Sequence, residues 1–112
     1  MPFRSGPVHE AKAHLFRVLG HPARVRILEV LRDEGERSVG ALQAALDLDS
    51  GGTSQHLAAL RRIGLVESRR EGTSVFYRVA DERVFDLLEA GKAIITRRLS
   101  EQQALLVELE RA

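Results

Sequence analysis

A chain of 112 residues is the size of one domain, and 44% hydrophobic residues can build a core, although 4% aromatics leaves that core to Leu, Val, Ile and Ala. The absence of cysteine excludes disulfides, zinc ribbons and thiol catalysis, and no run approaches the roughly 18 apolar residues of a membrane span. The net charge is only +1, but residues 50–80 carry five arginines against two glutamates (+3) and residues 81–112 five basic against seven acidic side chains (−2). Positive charge gathered on one stretch is the footprint of a nucleic-acid binder.

Residues 1–7 hold two of the three prolines and are expected to be loose. They lack the apolar core of a secretory signal, so a cytoplasmic location is expected. From Val8 the spacing becomes helical, with Ala11, Leu15, Phe16 and Leu19 on one stripe. Gly20-His21-Pro22 ends that helix, because the residue before proline is pushed out of the helical region, and Pro22 suits the first turn of a second helix. That helix, over residues 22–33, carries Val25, Ile27, Leu28, Val30 and Leu31 and should be the most buried element, with Arg24 and Arg26 flanking it and Gly35 stopping it.

Ser38 is a candidate N-cap for a short third helix that turns Val39, Leu42 and Leu46 inward. Asp47-Leu48-Asp49 makes a tight connection, and Asp49 or Ser50 can cap a fourth helix that ends at Ile63-Gly64. Two short helices joined by about three residues form a helix-turn-helix, placed at residues 38–63. Residues 65–79 then alternate as two strands around Glu71-Gly72, and a hairpin after a helix-turn-helix is a winged helix. A last helix over residues 81–110 keeps apolar residues at spacings of three and four from Val84 to Leu109, interrupted at Gln102-Gln103, with a bend or break expected near Leu99-Ser100. So small a domain cannot cover that stripe, which calls for a partner helix from a second copy. The expected fold is therefore mainly α with a small β-hairpin wing, one winged helix-turn-helix domain over residues 1–112, dimeric through its first and last helices.

At about 100° per residue, Thr53, Leu57, Leu60 and Gly64 of the fourth helix cluster on one side, the core side. Gly51, Gln55, Ala58, Ala59 and Arg62 lie opposite, with Ser54, His56 and Arg61 on the flanks. Small residues let a helix end sink into the major groove, and Gln55 can pair with adenine through two hydrogen bonds. Ser50, Thr53 and Ser54 can donate to phosphates or base edges, Arg61 and Arg62 can clamp phosphates, and Arg69-Arg70 beside the wing turn can touch backbone or minor groove. The predicted DNA-contacting set is Ser50, Gly51, Thr53, Ser54, Gln55, His56, Arg61, Arg62, Arg69 and Arg70.

Three stretches in order resemble one family. Leu19-Gly20-His21-Pro22-Ala23-Arg24-Val25-Arg26-Ile27-Leu28 is similar to the second-helix signature of the ArsR/SmtB-type winged-helix repressors. The stretch from Thr53-Ser54-Gln55-His56 to Leu60-Arg61, with Gly64-Leu65-Val66, resembles their recognition helix and its exit, and Arg69-Arg70-Glu71-Gly72 before Val75-Phe76-Tyr77 resembles their wing. The resemblance implies a cytosolic homodimer that represses transcription from a palindromic operator and is loosened by an inducer. It also implies DNA contact by Ser54, Gln55 and His56 and a structural role for His21. Gly51-Gly52 departs from the Ser or Ala common in the family; glycine in a helix interior costs roughly 1 kcal/mol relative to alanine, which would leave this end loose until DNA orders it.

Many members of that family sense metals through cysteines in the third helix or through Asp and His in the last. The third helix here has no ligand and the last no histidine. His9 and His14 would point about 140° apart, whereas Glu10 and His14 share a face. Glu10 and His14 could hold nickel or zinc with a carboxylate from a partner's last helix, the plainer reading of His9 and His14 being solvated side chains. No metal or other cofactor is assigned. The function expected is a sequence-specific regulator of transcription that binds double-stranded DNA at an inverted repeat, released by a metal ion or other small effector. The alternative is a protein-interaction module, or a co-regulator, whose long last helix recruits a partner protein. Nothing in the sequence resembles an active site, so no enzyme is expected.

Overall fold

The computed structural model describes residues 4 and 6–112. In order these form α1 (Pro7–Leu19), α2 (Pro22–Glu34), β1 (Arg37–Ser38), α3 (Val39–Leu46), α4 (Ser50–Arg62), β2 (Val66–Glu71), β3 (Ser74–Val79) and α5 (Arg83–Arg111). The chain divides into two compact units, one ending at Glu82 and one consisting of the last helix. Most of the stretch expected to be loose, residues 1–7, lies outside the described residues, but Pro7 already opens α1.

Local chemistry sets the boundaries in the first unit. His21, in extended conformation, caps α2 by accepting the backbone N–H of Ala23 on Nδ1 at 3.1 Å, and Pro22 follows in the first turn, where its missing N–H costs nothing. The Ser38 hydroxyl caps α3 by accepting from Ala41 N at 3.1 Å. Asp47 ends α3 in the left-handed region at φ 53°, which carries the chain over three residues into α4. At the hairpin, Glu71 pairs with Ser74, so Gly72 and Thr73 form a two-residue turn. Gly72 takes φ +62° at the first turn position, as such a turn demands of a residue without Cβ.

The core gathers Ile27 and Leu28 of α2, Leu42 of α3, Leu57 and Leu60 of α4 and Val66 of β2, all essentially inaccessible. Burying each of these aliphatic side chains contributes about 1.5–3 kcal/mol. Two expectations shift. Phe16 on α1 is exposed while Val18 is buried, so the inward face of α1 is rotated from the expected stripe. A short strand, β1, was not foreseen: Arg37 and Ser38 pair antiparallel with Tyr77 and Phe76, giving a three-stranded sheet ordered β1-β3-β2. Two residues are too few to show alternation, and Ser38 also serves as the α3 cap.

The second unit is α5, 29 residues and unbroken, about 43 Å long at 1.5 Å per residue. The interruption expected near Leu99 and Ser100 is absent. Arg97 Nε donates to Glu101 Oε1 at 3.1 Å across that very turn, an i,i+4 pair that supports the helix. Ile94, Ile95, Leu99, Leu105, Leu106 and Leu109 are exposed along it. Among the described residues, no helix is long and apolar enough to cross a membrane.

Candidate nucleic-acid interface

The helix-turn-helix is formed by α3 and α4, with α4 as its second helix. Its start is held by Asp49, whose Oδ1 accepts the N–H of Gly52 at 2.6 Å while its carbonyl accepts the N–H of Thr53 at 3.1 Å. The glycine pair therefore sits inside a formed, capped first turn, not a loose end. Gly52 also has a steric reason: a Cβ there would stand 2.9 Å from the capping Asp49 Oδ1, whereas at Gly51 the same oxygen is 3.9 Å away. Glycine at 52 avoids that close approach.

One side of α4 is sealed. Thr53 is fully buried, and its hydroxyl donates to the Asp49 carbonyl at 2.9 Å. That removes Thr53 from the predicted contacts: a hydroxyl at 0% exposure, already bonded to its own helix cap, cannot reach a phosphate. Ala59, expected on the outer face, is also buried. Ser50, Gly51, Ser54 and Gln55 are exposed at the N-terminal half and Arg61 and Arg62 at the C-terminal half, so a small polar surface leads into a basic one.

His56 is turned partly inward. It lies half-buried on the inner flank of α4, its ring 4.3 Å from that of His21, and Arg24 Nε donates to its Nδ1 at 3.2 Å. An arginine only donates, so Nδ1 must be the unprotonated nitrogen. Burial first, then the neighbouring charges of His21 and Arg24, hold the imidazole below its usual pKa. The same Arg24 donates through Nη1 to the Val18 carbonyl at 3.2 Å, so one guanidinium ties α1, α2 and α4 together. Through these contacts His56 fixes α4 to its support. Arg24 is the residue sequence reasoning undervalued; its one signal was a charge beside an otherwise apolar helix.

The wing divides the arginine pair that the sequence shows as adjacent. Successive strand residues face opposite sides. Arg69 shares its side with Phe76, Glu67 and Arg78. Its guanidinium stands 4.6 Å over the Phe76 ring and donates to Glu36 (Nη2–Oε1 2.6 Å) and to Glu71 (Nη1–Oε2 2.8 Å). The Glu36 hydrogen bond, then that of Glu71, raises the Arg69 pKa, and in return Arg69 lowers that of Glu36. Arg78 is likewise occupied by Glu67, with Nε–Oε1 at 2.6 Å. Arg70 faces the side shared with Val66 and Ser68. Arg61 Nη1 meets Ser68 Oγ at a long 3.4 Å. Among the described residues, Arg62 and Arg70 have no hydrogen-bond or ion-pair partner, which leaves both free for phosphate.

The weak metal candidates His9, Glu10 and His14 all lie on α1. Among the described residues, no three His, Asp or Glu side chains come together in a way that could hold a metal ion.

The description of a helix-turn-helix domain matches residues 19–69. An HTH-type transcriptional regulator of Mycobacterium tuberculosis, Rv0081, is 42% identical over 94% of this chain and 92% of its own length. Its crystal structure superposes with a TM-score of 0.80 at 40% identity, over 88% of this chain and 98% of that one. The biofilm growth-associated repressor of Agrobacterium fabrum is 44% identical over 73% of this chain and 69% of its own. A homodimeric winged helix-turn-helix DNA-binding domain from Mycobacterium bovis, described as a possible ArsR-family transcriptional regulator, superposes with a TM-score of 0.72 at 33% identity, over 88% of this chain and 94% of that one.

Proposed function

The chain belongs to the ArsR-type winged helix-turn-helix family of DNA-binding transcriptional regulators, and from that premise we propose that it is a cytoplasmic homodimer that represses transcription from an inverted-repeat operator. One observation carries the reading: α4 is capped and sealed on one side and bare on the other, with Ser54 and Gln55 exposed and arginines beyond them. Gln55 reads a base edge, Ser50 and Ser54 with the N-terminal N–H groups of α4 bind backbone, and Arg61, Arg62 and Arg70 neutralise phosphates. Arg69 shapes the wing rather than supplying free charge. The apolar row on α5 covers itself with the same helix of a second copy, in keeping with the homodimeric Mycobacterium bovis relative. A partner protein is not needed to account for that row. The reading involves no catalytic step.

The test is fluorescence anisotropy with a duplex from the chain's own upstream region against a scrambled duplex, at several salt concentrations. Specific binding should exceed random binding at moderate salt. Gln55→Ala should cost about 1–3 kcal/mol on the specific duplex and little on the scrambled one. Equal losses on both duplexes remove Gln55 from base reading, and equal affinity of the unaltered chain for both removes the operator.

A further inference from the structure

A cavity of about 450 Å³ opens between α1, α2 and α4, behind the C-terminal half of the reading helix. Its floor is apolar, from Val18, Ala59 and Ile63, and its walls are cationic, from Arg17, Arg24 and Arg62, with His14 at its edge. Among the described residues, no Asp or Glu lines it. Arg17 and Arg62 have no hydrogen-bond or ion-pair partner among the described residues, and Arg24 is pre-positioned by its bonds to Val18 and His56. Three arginines line one partly apolar pocket with no carboxylate among the described lining residues, and an anion there would offset their mutual repulsion. A planar guanidinium pairs best with carboxylate or phosphate through two parallel bonds. The volume is within the usual range for small-ligand pockets, roughly 300–1,000 Å³.

The geometry points to this cavity as the binding site for a small organic anion, an apolar body bearing one carboxylate or phosphate, whose occupancy opposes DNA binding. The anion engages Arg17 and Arg62 with its head group and rests its body on Val18 and Ala59. Opposition to DNA, which rests on the proposed operator reading, follows from two shared residues. Arg62 cannot serve the anion and a DNA phosphate together, and an anion drawing on Arg24 loosens its bond to His56, which holds α4 in place. On a helical wheel the exposed apolar pair Val8 and Phe16 of α1 is centred about 170° from His14 and Arg17, so the pocket lies on the other side of α1 from that pair.

Calorimetric titration of the full chain without DNA tests the site, using benzoate and phenyl phosphate as probes, benzamide as neutral analogue and inorganic phosphate as head group without a body. Expected are one benzoate or phenyl phosphate per chain, with benzamide and inorganic phosphate each at least about tenfold weaker. Arg17→Gln should weaken the anions by a similar factor while leaving operator affinity within about twofold, and Arg17→Lys should restore part of the loss. At constant ionic strength, saturating benzoate should raise the operator Kd, and by reciprocity operator DNA should weaken benzoate by the same factor. Benzamide binding as well as benzoate, inorganic phosphate binding as well as phenyl phosphate, no saturable binding of either probe, or an Arg17→Gln variant that binds unchanged overturns the site. An Arg17→Gln variant whose operator salt slope falls by about 0.9 makes Arg17 a DNA-phosphate contact and overturns it too. Anion binding that leaves operator affinity unchanged overturns the antagonism. Failure of operator binding with anion binding intact is failure of the proposed function alone.

Discussion

The glycine pair at the start of α4 separates two effects that usually travel together. Replacing glycine by alanine in a helix stabilises by up to about 1 kcal/mol, because the unfolded chain has less freedom to lose. At Gly51 nothing opposes that gain, since the nearest atom to a new Cβ is 3.9 Å away. At Gly52 the new Cβ would lie 2.9 Å from Asp49 Oδ1, the oxygen that accepts the Gly52 N–H at 2.6 Å. The carboxylate must shift, which weakens a cap worth about 1 kcal/mol and offsets much of the gain. Gly51→Ala should therefore raise stability by about 0.5–1 kcal/mol, worth roughly 2–8 °C in Tm for a domain this size, while Gly52→Ala should be close to neutral. The assay is thermal and urea unfolding followed by circular dichroism, at one protein concentration because the Tm of a dimer depends on it. In an Asp49→Ala background, with no cap left to lose, both alanines should stabilise alike. Equal stabilisation by the two alanines with Asp49 intact would refute the steric account of Gly52.

The remaining predictions concern charge, protonation and assembly. Arg70→Ala should weaken specific and random DNA alike and flatten the salt dependence by about 0.9 in log–log slope, while Arg69→Ala should leave the slope nearly unchanged; the reverse order would mean that Glu36 does not occupy Arg69 when DNA is bound. For His56, burial holds the folded pKa below the unfolded value near 6.5, so the unfolded chain takes up protons first. Its contribution to stability is complete above pH 6.5 and is lost as pH falls through the folded pKa. Urea midpoints should drop on acidification from pH 7 to 5, and His56→Asn should flatten that slope; an unchanged slope assigns it to other groups. Ile95→Glu, at an exposed position of α5, should raise the dimer dissociation constant at least about a hundredfold by placing a charge where each copy buries an isoleucine. Light scattering that still finds a dimer at micromolar concentration moves the interface off this row.

Much of the fold was legible because local signals and apolar spacing agreed. Ser38 and Asp49 act as the caps their side chains suit, and Gly64 and Gly72 take the positive φ expected of them. Elements that depend on distant partners were not legible. The strand of Arg37 and Ser38 exists only because Tyr77 and Phe76 lie alongside, some forty residues later in sequence. Within the site, helical spacing placed Thr53 on the core side, and its hydroxyl alone made it look like a donor to DNA. Burial decides that conflict for Thr53, and the partners of His56, His21 and Arg24, lie some thirty residues earlier, where helical spacing could not reveal them.

Charge shows the same limit more sharply. Counting arginines locates the basic stretch but treats all five alike, whereas the fold sorts them by partner. Arg69 and Arg78 are answered by Glu36, Glu71 and Glu67. A guanidinium already neutralised by a carboxylate gains little from a phosphate, because the new bond must replace an existing one. Arg62 and Arg70 pay no such exchange. Arg17 lies outside the stretch on α1, so no tally of residues 50–80 could include it, although the cavity brings it beside Arg62. The cations available to an external anion are therefore those the protein has left unanswered. That is a property of tertiary pairing, and it brings the charge proposed for DNA and the charge proposed for the effector together at Arg62.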